Sequence, residues 1–336
     1  MWTTTEFVLF QKQIFTILIP IIIIVGNLGS ILNVIVFSLS KKLRSSPCSL
    51  YLIFASIGFS LYLNIVALLR FLQIVFNIDP SSTWSWICKL RFFAVGFFLM
   101  LPRSYMLLAA IDRYIMSISN QHRFLSHRVA LKMILLTCLF WMIICIHNII
   151  YYDIQISLNG TNRICSNSPG PYSTFLSFYS ILINGLSMPL LMTIFGLLTV
   201  RNLKRYRNQI HNSLIIILER RKKQEWSILR MLLVQLIVNV ILSLPITIYL
   251  FYSGLTQYFV KSLIRSFIEN YIYNILTILQ YLNAASSFYV YSLTSHIFRK
   301  ELYSIVVYYS NKLKEYFINY STALFTYMAI TFTTLF

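Results

Sequence analysis

The feature that most constrains this chain is a succession of long apolar runs, at roughly residues 14–38, 49–76, 88–112, 130–152, 173–200, 228–254 and 268–294. Each reaches the ~20 residues that a helix needs to cross the hydrocarbon of a bilayer. The rest of the composition agrees. Hydrophobic residues make up 58% of the chain and charged ones only 11%, and the mean hydropathy of +0.71 lies outside the range of soluble domains. The expected fold is an all-α membrane protein, a bundle of seven transmembrane helices. The first run is too long for a signal peptide, no small-residue cleavage site follows it, and no strongly basic segment precedes it. It is expected to remain as the first helix.

The 28 Lys and Arg residues set the expected orientation, because cytoplasmic loops retain positive charge. Most follow the first, third and fifth runs or lie in the tail, among them Lys41, Lys42, Arg44, Arg123, Arg128, Arg201, Lys204, Arg220, Lys223, Arg299 and Lys300. Few fall on the other side. The N-terminus is therefore expected outside a plasma membrane that the chain crosses several times, and the C-terminus in the cytoplasm. The net charge of +19 raises nucleic acid as a partner, but its confinement to one set of loops fits anionic lipid headgroups better.

The cysteines divide by compartment. Cys48, Cys138 and Cys145 fall on the cytoplasmic side or inside runs, where a thiol is usually inert packing. Cys88 and Cys165 both face outside, where a disulfide is chemically permitted. The loop with Cys165 also holds Asn159-Gly160-Thr161, a glycan acceptor at Asn159. A second match at Asn319 falls in the expected cytoplasmic tail and would go unmodified. Repeats, Gly/Ser linkers and phosphate-cradling loops are absent from the sequence. One membrane domain is expected over 14–303, with an extracellular N-terminus over 1–13 and a cytoplasmic tail over 304–336 that lies on the membrane rather than crossing it. The apolar stretch 214–218 suggests that the fifth and sixth helices extend past the bilayer.

The spacing of particular residues carries the reading further. Cys88 stands 25 positions before Arg113 in Asp112-Arg113-Tyr114, and Trp141, Pro189 and Pro245 follow in the fourth, fifth and sixth runs. Tyr291 to Arg299 then reads YSLTSHIFR. This ordered set resembles rhodopsin-like (class A) G-protein-coupled receptors over about 290 residues. The resemblance implies a Cys88–Cys165 bond over the mouth of the third helix, hinges at Pro189 and Pro245, and a short amphipathic eighth helix after Tyr291. It also implies a switch in which Glu225 of the sixth helix holds Arg113 at rest. Outward movement of that helix then frees the arginine for a heterotrimeric G protein. Intramembrane ionisable groups are costly and usually paired or functional, which supports a role for Asp112 and Arg113.

Several residues depart from the family pattern. Ser287 to Tyr291 replaces Asn-Pro-x-x-Tyr, keeping only the tyrosine; Ser243 stands where a tryptophan is common, and Leu197 where a tyrosine is. The second run has no aspartate, so the usual sodium site cannot form. Both Asn27 and Asn33 can match the first-helix asparagine. Arg103 lies in the middle of the third run, about 15 Å above Arg113 at the helical rise, with Asn184, Asn239 or Asn283 as candidate partners. It is read either as filling a sodium ion's volume or as a locally hydrated arginine.

The ligand pocket is expected in the outer half of the bundle, with Arg70, Val95 and Tyr281 as candidates. Val95 replaces the aspartate of amine receptors and Tyr281 the retinal lysine of visual pigments, which argues against both ligand classes. A cationic outer rim, with Lys89, Arg91, Lys261 and Arg265 against Asp153 and Glu269, suits a peptide or a small organic anion. Arg230 to Gln235 more distantly resembles invertebrate receptors of the FMRFamide type, so a peptide ligand is expected, with a chemosensory organic ligand as the alternative. A transporter or pump would need midplane carboxylates or broken helices in paired positions. The five His are scattered without metal-ligand spacing. No enzyme activity, cofactor or metal is expected.

Overall fold

The structure is a computed structural model and describes residues 4–44, 46–118, 126–156, 163–168, 170–209 and 215–333. Its elements are α1 (Thr4–Leu39), a single turn α2 (Lys41–Arg44), α3 (Cys48–Phe76), α4 (Ser85–Ile118) and α5 (His127–Tyr151). A hairpin of β1 (Tyr152–Ile156) and β2 (Arg163–Asn167) follows, then α6 (171–209), α7 (Ile215–Leu255), α8 (Leu263–Ala285), α9 (Ser287–Thr294) and α10 (His296–Thr333). Apart from the hairpin the protein is all-α. Among the described residues six helices, α1 and α3 to α7, are long and apolar enough to cross a membrane. They coincide with the first six apolar runs, and the chain is a multi-span membrane protein.

The helices pack inside out relative to a soluble bundle. Ile17, Ile21, Ile24, Leu28 and Ile31 of α1 and Leu135, Leu136, Leu139, Ile143 and Ile150 of α5 point away from the protein. Such surfaces are stable only against lipid. The interior collects the polar side chains, because groups that leave water must pair with each other. Asn33 donates to Ser287 Oγ (3.2 Å), Asn283 to Asn239 Oδ1 (2.7 Å), Gln235 to Ser286 Oγ (3.3 Å) and Trp141 to Ser104 Oγ (2.7 Å). Asn27 is bonded instead to Ser60 and Asn64 of α3. Of the two asparagines, Asn33 is the one inside the bundle. α4 is the most buried of the six long helices and packs against α3, α5 and α6.

Proline and serine shape the helix interiors. A proline ring crowds the carbonyl four residues back, and in α6 the turn before Pro189 widens into a π-helix over Ser180–Ser187. A second π stretch, Leu63–Ala67, lies in α3 without a proline. Around Pro245 the Thr247 hydroxyl donates to the carbonyls of Ser243 (2.7 Å) and Leu244 (2.9 Å). The seventh apolar run divides at Ser286, where the hydroxyl takes the Asn283 carbonyl (2.8 Å). A short polar side chain competing for a backbone carbonyl accompanies this interruption of the helix, without a proline.

One expectation is corrected. The helix after Ser295 is not short: α10 runs 38 residues and takes in most of the expected tail. Between His296 and Thr333 the sequence has neither Gly nor Pro, so nothing in it stops a helix. At the other end, α1 begins at Thr4, so the expected N-terminal segment is largely helical. α6 and α7 extend beyond their apolar runs, as 214–218 suggested.

Two contacts hold α1 in place. A methyl group on Gly26 would lie 2.9 Å from Ala285 Cβ and 3.2 Å from its Cα and would run into Leu63 Cδ1, so only glycine lets α1, α3 and α8 approach this closely. Gly26→Val is expected to lower the thermal midpoint of the detergent-solubilised protein, by the equivalent of about 1–3 kcal/mol for an overpacked site. At the opposite end Glu301 of α10 accepts from Lys42 Nζ (2.9 Å) and Ser40 Oγ (2.8 Å). Burial pushes its carboxyl up, but these hydrogen bonds outweigh burial and leave it below the ordinary value of 4.5. A depressed folded-state value stabilises the fold above pH 4.5 and loses that contribution as pH falls through it. Glu301→Gln is expected to lower the midpoint slightly at pH 7, by about 1 kcal/mol or less. The parent and variant midpoints should converge as pH falls below the folded-state value of this carboxyl.

Candidate functional site

α4 carries ionisable groups at both ends and in the middle. At its C-terminal end Arg113 Nη2 donates to Asp112 Oδ2 at 2.6 Å, with the two side chains only 4% and 2% exposed. Arg113 also bonds Ser46 Oγ, in the turn between α2 and α3. A buried pair of this kind costs heavily if one partner is removed. Tyr114 points elsewhere, its ring 5.5 Å from that of Phe195 on α6. Tyr291 is buried between Phe37 and Phe298, with its hydroxyl 4.0 Å from Met106 Sδ. The side chain of Glu225 lies outside the described residues, as does Asn159.

At the N-terminal end of α4 Cys88 and Cys165 form the expected disulfide, spanning 77 residues. The β1–β2 register pairs Cys165 with Ile154 and Ser166 with Asp153, so the bond pins the whole hairpin over the top of α4. Asp153 accepts from Ser85 Oγ (2.7 Å) and from the Ile154 N–H (2.8 Å), and these bonds, the serine's first, hold its carboxyl below the ordinary range. Lys89 pairs with its other oxygen at 3.5 Å.

Beneath the hairpin is a cavity of about 290 Å³ between α3, α4, α6, α7 and α8. Arg70, Val95 and Tyr281, the three residues the sequence suggested, all line it. The helical period explains the α4 wall: Arg91, Val95, Leu99 and Arg103 recur every fourth residue and share one face. Both π-helical stretches border the same space through Val66, Ser180 and Asn184, and such stretches frequently occur at functional sites. The Lys261, Arg265 and Glu269 cluster does not join the cavity. Glu269 accepts from Lys261 (2.5 Å), Arg265 (3.0 Å) and Tyr252 (2.9 Å) on the outer surface between α7 and α8.

The cavity holds three guanidiniums against one carboxylate, Asp79. Two of the three are well partnered. Arg70 donates to Gln73 Oε1 (2.6 Å) and Asn274 Oδ1 (2.5 Å), while Arg91 donates to Ser81 Oγ (2.7 Å), Gln73 Oε1 (2.8 Å) and Asp79 Oδ1 (3.3 Å). Asp79 and Gln73 were not singled out in the sequence, although a signal existed. Asp79 caps the 3₁₀ turn Pro80–Ser82, and an Asp followed by Pro is a helix-start signature. Arg103 is the third, and none of its candidate asparagine partners reaches it: Asn239 and Asn283 bond each other. His147 is hydrogen-bonded packing, its Nδ1 2.7 Å from the Tyr172 hydroxyl. Among the described residues no group of three or more His, Cys, Asp or Glu is placed to hold a metal ion.

No protein-family model matches the chain, and no curated protein does. The site must therefore be read from its own chemistry.

Opening the disulfide releases the hairpin that roofs the cavity. The Cys88→Ser/Cys165→Ser variant is expected to lose about 2–5 kcal/mol of stability, as for other native disulfides. A fall in thermal midpoint that the parent reproduces in reductant checks this.

Proposed function

We propose that the protein is a seven-helix receptor of the rhodopsin-like type, in which α8 and α9 together form the seventh span. An extracellular ligand would bind the cavity beneath the hairpin, and a heterotrimeric G protein would bind at the Asp112–Arg113 end. The observation that carries this reading is the division of labour along α4. One buried helix lines a cationic cavity at its disulfide-pinned end and presents a buried acid–base pair at the other. The connections at the Arg113 end hold most of the Lys and Arg residues, which supports a cytoplasmic location for that end and an outside location for the N-terminus. Pro189 in α6 and Pro245 in α7 lie between the two ends and supply hinges between alternative packings.

The resting state draws on Asp112, Ser46 and, by resemblance, Glu225 to hold Arg113. Activation exposes its guanidinium to the G protein. A peptide remains the expected ligand from the cationic rim. A second reading, a chemosensory receptor for a small organic ligand, is favoured by the cavity's volume of about 290 Å³, which suits a small molecule or one end of a peptide.

Guanine-nucleotide exchange on a panel of purified G proteins, with the full chain in lipid vesicles, tests the proposal. The parent is expected to accelerate exchange on at least one of them, and Arg113→Ala to reduce that acceleration at least about tenfold, the effect of losing about 1.4 kcal/mol. Ion or solute flux through the same vesicles, with exchange indifferent to Arg113, would overturn the receptor reading in favour of a transporter.

A further inference from the structure

Among the described residues Arg103 is the strongest unexplained charge. It lies in mid-helix, 12 residues or roughly 18 Å below Arg91 along α4, and is 2% exposed, so its head cannot reach either bilayer surface. Its Nε and Nη2 have no hydrogen-bond partner. The acids near either end of the cavity face are engaged, Asp79 with Arg91 and Asp112 with Arg113. Tyr62 and Tyr281, with ring centroids 5.8 Å apart, line the same cavity and bring only neutral phenols. A close approach explains the burial: Gly58 of α3 sits so near Pro102 that an added Cβ would lie 3.2 Å from the ring, closing α3 over this stretch of α4.

An unpaired buried guanidinium is expensive, and it persists where a ligand supplies the missing charge. The cavity wall also presents acceptors without donors, Asn184 Oδ1 and Gln280 Oε1, together with the unbonded hydroxyl of Ser180. We propose that the cavity takes a molecule ending in a carboxylate, whose two oxygens pair with the fork of Arg103 while N–H or O–H groups beside it satisfy Asn184 and Gln280. An arginine fork matches a carboxylate bidentately. Val95 and Leu99, between Arg91 and Arg103 on the same face, receive the apolar part. This chemistry is shared by the C-terminal residue of a peptide and by a free N-acyl amino acid. A C-terminally amidated peptide lacks it. The assignment rests on the receptor reading for its biological meaning but not for its binding chemistry.

The test uses the full chain in detergent micelles without a G protein, and reads the thermal midpoint. The probes are N-acetyl amino acids and short peptides with free C-termini, each beside its C-terminal amide. Free acids are expected to raise the midpoint and their amides to leave it unmoved, with Arg103→Gln weakening the apparent affinity at least about tenfold through lost charge-assisted hydrogen bonds. Stabilisation by the peptides alone, or by the N-acyl amino acids alone, identifies the source. Arg103→Met supplies a second readout: an arginine awaiting a ligand leaves the ligand-free midpoint unchanged or raised when removed, whereas a structural arginine lowers it. The proposal is overturned if no free acid shifts the midpoint, if amides act as well as acids, or if Arg103→Met lowers the ligand-free midpoint. Carboxylates that bind through Arg103 but never alter nucleotide exchange would remove the receptor reading and keep the site. Exchange driven by ligands that Arg103→Gln binds equally well would remove the site and keep the receptor.

Discussion

In hydrocarbon a polar group has no water to replace a missing partner, so each one must be paired within the protein or carry a function. This constraint organises the whole molecule. It makes the backbone helical, turns isoleucine and leucine outward on α1 and α5, and gathers asparagine, serine and glutamine between α1, α7 and the α8–α9 segment. It also makes the exceptions informative. Where a helix loses a regular bond, at the π stretches of α3 and α6, the irregular backbone borders a cavity. Where a charge lacks a partner, at Arg103, it faces the same cavity.

The charges along α4 and its surroundings fall into three situations. Arg70 and Arg91 are neutralised or hydrogen-bonded within the outer cluster around Asp79 and Gln73. Arg113 is paired with its own neighbour Asp112 and with Ser46 in the turn after α2, 67 residues away along the chain. Arg103, between them, is balanced by no acid among the described residues. A receptor that responds to an anion would use this asymmetry directly, because such a ligand supplies the charge that the described residues do not. Coupling to the Arg113 end would then pass along a single rigid helix, with the proline-interrupted α6 and α7 packed beside it as the elements able to shift.

Much of the fold was legible in the primary structure, since run length and hydropathy are one-dimensional quantities. The six long helices follow from apolar length; the hairpin disulfide, permitted by compartment, and the positions of Val95 and Tyr281 on the cavity wall are what the family resemblance implied, and Arg70 belonged to the cationic rim. The extent of α10 was misjudged because resemblance suggested a short helix where the residues themselves contain no helix breaker. Asp79 was overlooked because a capping aspartate looks purely local until the 3₁₀ turn carries it to Arg91. The interruption at Ser286 was also hidden, since hydroxyl competition for a carbonyl depends on the rotamer and packing of a residue common in any helix.

What the sequence by itself determined is that the chain lives in a membrane, where its apolar spans lie, and which face of α4 carries arginine. Only the tertiary structure decided which of those arginines find partners. Pairing depends on side chains brought together from α3, the Pro80–Ser82 turn, α4 and α8, separated by up to 204 residues in the Arg70–Asn274 bond. Electrostatic interaction falls off with distance in space rather than along the chain. Arg91 and Arg103 both line the cavity from α4, yet one is balanced by Asp79 and the other by no acid among the described residues, because α3 closes against Pro102 and brings no carboxylate with it.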